Sequence, residues 1–412
     1  MLLACADSAI NDRYLLLKSS QNTSSFPVYM KFALILAAVR SYPTSADPFW
    51  LVNDHDYCAN EGPGGYSPRR VRHGARLESV QVVFRHGART EHQKSACFPG
   101  GKRPDYVCNE RTGFQLVPSS ASSTSKRLAV TKSYTENRNE CSLGQLLDLG
   151  LDQSARLGRY LKVIYPQLRE EDLDRITLYS TDTQRTMGTL SVLLAELFPS
   201  NNGSLPIRTN EFEDDIFALN IPSCRVFDDL RRSYRTSNLY QSAISSSKFK
   251  NCASMWKSVY ETDLDLRHSD DCLVSAYCGK APLPNGLTFD PEVFECVMNL
   301  SFQLRREKLG GVPESMYFNN GTQLCGIGAE KVFDQFITSV NKGDVGGLYA
   351  IHDETFVCLL TYLGLWDLVW PKYAEFLSFE FYSDNKVRIV RNGRPISTIP
   401  KSHLMKKQYP CP

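Results

Sequence analysis

The pentapeptide RHGAR occurs twice within twenty residues, at Arg72–Arg76 and at Arg85–Arg89. A histidine set between arginines suits attack on phosphorus. The neutral imidazole is a nucleophile, and guanidinium forks match the non-bridging oxygens of a phosphate. Two more short stretches carry compatible residues. STDTQRT, Ser180–Thr186, contains Arg185, and IHDET, Ile351–Thr355, pairs His352 with Asp353. With the second RHGAR they would gather Arg85, His86, Arg89, Arg185, His352 and Asp353, and three arginines in one place call for an anion, with bidentate geometry favouring phosphate.

Such residues act together only if the chain brings them to one place. LESVQVVF, Leu77–Phe84, has the β-branched and apolar content of a strand. The second RHGAR sits at its carboxyl end and the first at its amino end. Eight residues at about 3.3 Å each separate the two by about 26 Å, so they cannot share a site. Ligands of open α/β sheets sit outside the carboxyl ends of the strands, which favours the second copy. The first reads as a solvated basic loop. RITLYS, Arg175–Ser180, and VGGLYAI, Val345–Ile351, also read as strands, and each runs into a helical pattern just after its charged residues. Three strand ends thus deliver Arg85, His86, Arg89, Arg185, His352 and Asp353 to one edge.

The remaining elements fit around these. CSLGQLLDLGLDQSARLGRYLKVIYP carries apolar residues at helical spacing and stops at Pro166. TQRTMGTLSVLLAELFP is a second helix. FLSFEFYS and KVRIVRN, either side of Asp384-Asn385, form a closing hairpin. The serine-rich stretch Pro118–Glu140 reads as a polar loop. Strand–helix–strand–helix order predicts an α/β fold: a central mixed sheet with helices on both faces. Residues 208–343 hold six cysteines (Cys224, Cys252, Cys272, Cys278, Cys296, Cys325) and read as a mostly helical, disulfide-rich insertion, or cap. The expected organisation is an upstream extension and signal-like segment (1–46), an irregular lead-in (47–77), a core of 78–207 with 344–412, and the cap between them.

A net charge of +2 over 412 residues makes no whole-chain case for a nucleic-acid partner. Thirteen cysteines suit an oxidising compartment. Met30–Ala46, MKFALILAAVRSYPTSA, reads as a signal peptide whose apolar run is far too short to span a bilayer. Cleavage after Ala46 removes Cys5 and leaves twelve of the thirteen cysteines, an even number. Asn202-Gly-Ser, Asn299-Leu-Ser and Asn320-Gly-Thr would accept glycans in such a compartment. The expected setting is the secretory pathway (Golgi lumen, lysosome or outside the cell), without membrane contact once the signal is removed. No HExxH, paired CxxC or EF-hand pattern occurs, so neither a metal nor another cofactor is expected.

A rival phosphatase signal exists. Cys97-Phe-Pro-Gly-Gly-Lys-Arg103 fits C-x5-R, in which a thiolate attacks and the loop cradles phosphate. No strand precedes it, Pro104 follows where a helix should begin, and an oxidising compartment would place Cys97 in a disulfide, with Cys108 the nearest partner. Trp366 and Trp370, four apart, read as core packing. His55, His92, His268 and His403 read as surface or structural residues.

The motifs Arg85-His86-Gly87-Ala88-Arg89-Thr90, Ser180-Thr181-Asp182 with Arg185-Thr186, and His352-Asp353 with Thr355 resemble the histidine acid phosphatases, from about residue 79 to 411. An RHG motif with a distant HD is specific as a pair. Within that family, the Lys102-Arg103-Pro104 segment leading to Cys108, Cys141-Ser-Leu-Gly-Gln-Leu, the Cys272 and Cys278 region and the terminal Cys411-Pro412 look most like members that dephosphorylate xylose during glycosaminoglycan assembly. The resemblance implies hydrolysis of a phosphorylated small molecule or glycan through a phosphohistidine. His86 would be the nucleophile, Arg85, Arg89, Arg185 and His352 the phosphate ligands, and Asp353 the proton donor in its acid form. A broad, lysophospholipid or inositol phosphate specificity, or an inactive secreted binder of the same fold, are the alternatives.

Overall fold

A nine-stranded mixed sheet forms the centre of the molecule, with strand order β2-β3-β5-β4-β6-β1-β7-β8-β9. The computed structural model describes Cys58 and residues 74–93, 97–108, 114–117, 125–130, 141–201, 205–211, 214–221, 224–266, 268–309 and 320–405. All of them fall in one compact unit, Pro48–Pro412. The signal-like segment, most of the lead-in, and Arg72 and His73 of the first RHGAR lie outside the described residues.

β1 (Leu77–Arg85) pairs in parallel with β6 (Gly346–Ile351), and β6 pairs in parallel with β4 (Ile176–Ser180). The three predicted strands are therefore adjacent and run the same way, with their carboxyl ends on one edge. β7 (Phe376–Tyr382), β8 (Lys386–Arg391) and β9 (Arg394–Pro400) continue antiparallel beyond β1. On the far side, β5 (Pro206–Asn210) pairs in parallel with β4 and leads to the antiparallel β3 (Ser125–Val130) and β2 (Phe114–Val117).

Both faces are covered. α1 (Asp148–Ile164) and α2 (Gln184–Leu197) bury Leu157, Leu161, Leu190, Leu193 and Leu194 against Val80, Val82 and Phe84. α8 (Asn320–Asn341) and α9 (Asp353–Tyr362) bury Val332, Phe333, Phe336, Phe356 and Leu359 against Val83, Tyr349 and Phe379. A strand buried on both faces needs apolar residues at nearly every position, which is why VQVVF lacks an in–out alternation. Each fully buried Leu or Phe contributes about 1.5–3 kcal/mol.

Four strands were not legible: β2, β3, β5 and β9. Ser125–Val130 falls inside the stretch read as a polar loop, yet it is a strand paired on both sides. The hairpin also gains β9, whose residues are mostly exposed and flanked by prolines. Strands near a sheet edge carry polar residues and Pro, and so lose the alternating pattern that marks a strand.

Between β5 and α8 lie α3 (Arg225–Thr236), α4 (Asn238–Ser245), α5 (Ser247–Tyr260), α6 (Ser269–Gly279) and α7 (Pro291–Lys308). They enclose a separate apolar cluster around Phe227, Trp256, Leu273, Val297 and Phe302. Cys252–Cys296 closes within these helices. Two other bridges leave them, Cys58–Cys278 and Cys97–Cys272, and Cys325–Cys358 ties α8 to α9. Cys108 bonds Cys141. The expected Cys97–Cys108 pair is therefore wrong: Cys97 reaches across to the start of α6.

Candidate active site

β1 ends at Arg85, and the backbone then turns out of the sheet under firm restraint. The His86 amide donates to the Ile351 carbonyl at 3.3 Å, and Ala374 N–H donates to the His86 carbonyl at 3.1 Å. Gly87 is required by a close approach. A Cβ there would lie 2.4 Å from the carbonyl oxygen of Gly150, in the first turn of α1. The Gly87 and Ala88 amides are met by Thr189 Oγ1 of α2 and Gln153 Oε1 of α1, at 3.0 and 2.8 Å. The two long helices thus grip the loop that carries His86.

His86 is 2% exposed. Its Nδ1 lies 2.9 Å from the Gly87 carbonyl oxygen. A carbonyl can only accept, so the ring proton sits on Nδ1 and the lone pair on Nε2. Burial first, then the charges of Arg89, Arg185 and Arg85, hold its pKa well below the usual histidine value. The ring is therefore neutral at mildly acid pH as well as at neutrality, with the Nε2 lone pair free of a proton.

The arginines surround it. Arg85 donates to the Pro371 carbonyl at 2.6 Å, pairs with Asp353 Oδ2 at 3.0 Å, and lies over the Tyr373 ring. Arg89 is clamped by Asp271 from the first turn of α6: Nη2 to Oδ1 at 2.9 Å and Nη1 to Oδ2 at 3.2 Å. His92 adds its backbone N–H and ring Nδ1 to the same carboxylate, at 2.9 and 2.7 Å. Arg185, in the first turn of α2, approaches His352 Nδ1 at 3.4 Å. Burial and the neighbouring Arg89 push its pKa down to about 9. The Nε–H groups of Arg89 and Arg185 are buried and lack a partner among the described residues. Buried donors without acceptors are costly, and an anion is what would satisfy them.

His352 and Asp353 stand where β6 passes into α9. Thr181 Oγ1 lies 3.0 Å from His352 Nε2. Because arginine only donates, Nδ1 of His352 accepts and Nε2–H donates to Thr181. The ring is neutral, held so by burial and by Arg185. The His86 and His352 rings meet edge to face, 5.7 Å between centroids. Asp353 accepts from the Trp370 indole at 3.1 Å and from the Glu354 amide at 3.0 Å. Burial alone would favour its acid form. Arg85, Arg305, the Trp370 N–H and His352 together outweigh that and hold the carboxylate well below its ordinary range. The acid form expected from the sequence is thus not the resting form; the arginines charge the group until something offsets them.

All six residues predicted to act together converge on this edge. Arg76, the described arginine of the first RHGAR, is exposed at the opposite end of β1 and pairs with Glu78. Cys97 is locked in a disulfide, which removes the thiolate that C-x5-R chemistry needs. Sequence reasoning missed Asp271 and Tyr373, quoted Thr181 only as part of a motif, and read Trp370 as core packing and His92 as surface or structural. Trp370 does pack against Phe302, yet its indole N–H is spent on Asp353.

The chain resembles known proteins along most of its length. Residues 76–278 match the histidine phosphatase superfamily (branch 2). Mouse lysophosphatidic acid phosphatase type 6 is 25% identical over 395 residues, covering 84% of this chain and 88% of its own. Human 2-phosphoxylose phosphatase 1 is 25% identical over 365 residues, covering 80% and 72%. A solved structure of a Bifidobacterium longum multiple inositol polyphosphate phosphatase, in complex with inositol hexasulfate, overlaps with a TM-score of 0.51 at 12% identity, covering 83% of this chain and 93% of its own. That overlap supports the fold.

Proposed function

We propose that this chain, whose residues 76–278 match the histidine phosphatase superfamily (branch 2), removes phosphate from a phosphorylated sugar through a phosphohistidine on His86. One observation carries the chemistry: a buried imidazole whose Nδ1 proton is tied to Gly87 O, leaving Nε2 unprotonated among three arginines. A phosphomonoester dianion would be held by Arg85, Arg89 and Arg185, and by His352 once its Nδ1 takes up a proton as the dianion offsets the arginines, and would satisfy the idle Nε–H groups of Arg89 and Arg185.

In the first step Nε2 of His86 bonds to phosphorus as the bond to the leaving oxygen breaks, and Asp353 gives that oxygen its proton. Substrate binding favours this, because the dianion offsets the arginines that keep Asp353 ionised in the empty site. In the second step water attacks phosphorus, Asp353 takes the proton, the P–N bond breaks and inorganic phosphate leaves. The arginines carry the transition-state charge in both steps.

Polar groups of α6 and α7 reach the site, Asp271 at Arg89 with His92 beside it and Arg305 toward Asp353, and such groups suit the hydroxyls of a sugar better than an acyl chain. The human 2-phosphoxylose phosphatase 1 similarity points the same way, toward xylose phosphate in the glycosaminoglycan linkage region. The equal similarity to a lysophosphatidic acid phosphatase keeps a lysophospholipid as the second reading. Five disulfides among the described residues suit the lumen of the secretory pathway. The test is kcat/KM on a 2-phosphoxylose glycoside, lysophosphatidic acid and an aryl phosphate. A preference for the lipid overturns the sugar assignment, and phosphate release from none of the three overturns the hydrolase itself.

A further inference from the structure

Asp270 and Asp271 are neighbours in the first turn of α6 but serve different partners. Asp271 holds Arg89. Asp270, 2% exposed, is directed into the cap. Its Oδ2 accepts from the Ser301 hydroxyl at 2.8 Å and from the Arg305 guanidinium, both on α7. That guanidinium lies 5.2 Å from the centre of the Trp370 ring, and Phe302 packs on the same indole at 5.7 Å. Trp370 in turn donates to Asp353. A continuous series of contacts therefore leads from a buried cap carboxylate to the residue that exchanges the proton.

The phosphate cradle as described makes no use of this series. Burying Asp270 is costly unless its charge is matched, and Arg305 matches it beside the indole that touches Asp353. We propose that Asp270 and Arg305 are positioning residues for the reaction: from the cap they fix Trp370 against Asp353 and set the electrostatic field in which Asp353 gains and loses its proton. The idea rests on Asp353 being the proton donor.

The charged and titratable groups facing Asp353 are Arg85 of β1, Arg185 of α2, Arg305 of α7, and His352 and Glu354 beside it; Lys308 of α7 is paired with Glu354. Arg305 favours the carboxylate, and Asp270 partly cancels Arg305. The two residues, although bonded to each other, should therefore act in opposite senses. Removing the Arg305 charge makes the Asp353 proton harder to lose. Removing the Asp270 charge makes it easier to lose.

The experiment is kcat against pH for glycerol 2-phosphate, whose alkoxide must be protonated to leave, and for 4-nitrophenyl phosphate, whose phenolate need not be. With glycerol 2-phosphate, Arg305→Gln should move the alkaline limb to higher pH by on the order of one unit, and Asp270→Asn should move it to lower pH. Arg305→Lys, which keeps the cation, should bring the limb back toward wild type. Trp370→Phe, which keeps the ring and loses the N–H, should move it up and serves if Arg305→Gln does not fold. Equal shifts in one direction, or unmoved limbs beside a lowered Tm, would mean the pair is merely structural and overturn the proposal. Asp353→Asn separates the two ideas: it should cost the alkyl ester far more than the aryl ester. Equal losses on both would remove the donor assignment itself.

Discussion

Asp271 takes both terminal nitrogens of Arg89, so the arginine expected to hold phosphate is itself held by the first turn of α6. Both side chains are largely buried, at 8% and 11% exposure. In such a pair the partner left behind is stranded as an uncompensated charge. Asp271→Asn should loosen Arg89 and raise KM about tenfold, about 1.4 kcal/mol, with a smaller effect on kcat. Steady-state kinetics on an aryl phosphate checks this; a kcat loss at unchanged KM would place Asp271 elsewhere in the mechanism.

His86→Ala should abolish turnover, while His73→Ala should leave it at the wild-type level. The two histidines belong to identical pentapeptides thirteen positions apart in the sequence, so the comparison isolates position from sequence. Trapping of phosphate on His86 by acid-labile labelling would show the intermediate directly.

Cys97→Ser separates two chemistries. It breaks the Cys97–Cys272 bridge, and loss of a native disulfide costs about 2–5 kcal/mol of stability. Below its lowered Tm the variant should still turn over, because the bridge supports the site without reacting. Loss of turnover in a folded Cys97→Ser protein would revive the thiolate reading.

The pH profile should extend far into acid. His86 works as the free base, and burial with Arg89, Arg185 and Arg85 depresses its pKa, so protonation stops attack only well below the ordinary histidine range. Asp353 works first as an acid, and its neighbours favour the base, so rising pH removes the donor form. Both effects place the optimum on the acid side of neutrality. Measurement of kcat/KM from pH 4 to 9 decides it, and a flat profile would sink the scheme.

Gly87→Ala should damage the site through packing alone. The added methyl would meet the Gly150 carbonyl at 2.4 Å, backbone against backbone, where no side chain can give way. Overpacking of this kind costs about 1–3 kcal/mol, and a displacement of the loop carrying His86 should reduce kcat more than KM. Thermal melting alongside kinetics reads both.

The meeting of the six residues on one sheet edge was legible because each motif is contiguous in sequence and ends a strand that announces itself. Val82, Val83 and Phe84 mark one strand, and Leu348, Tyr349 and Ala350 another. Their shared edge follows from parallel pairing. Asp271 was not legible for the opposite reason: 182 positions separate it from Arg89, and an aspartate in a first helical turn reads as an ordinary partner of the helix dipole. Trp370 failed differently. Its ring does what apolar spacing suggests, and only the indole N–H, invisible to any periodicity, belongs to the chemistry. Ser125–Val130 was lost because polar residues near a sheet edge look like the loop that precedes them.

The cross-links between cap and sheet also bear on how the chain is made. Cys97 and Cys108 are eleven apart and are synthesised almost together, whereas Cys272 follows Cys97 only after 175 residues. Cys58 waits longer still, 220 residues, for Cys278. Pairing in order of synthesis would join Cys97 to Cys108, the error that proximity in sequence invites. The native pattern leaves Cys108 for Cys141 and holds Cys97 back until α6 exists. Maturation of this protein should therefore depend on disulfide isomerisation after the cap helices are translated, and a cell short of isomerase should accumulate a chain with an intact sheet and an Arg89 that no carboxylate has yet met.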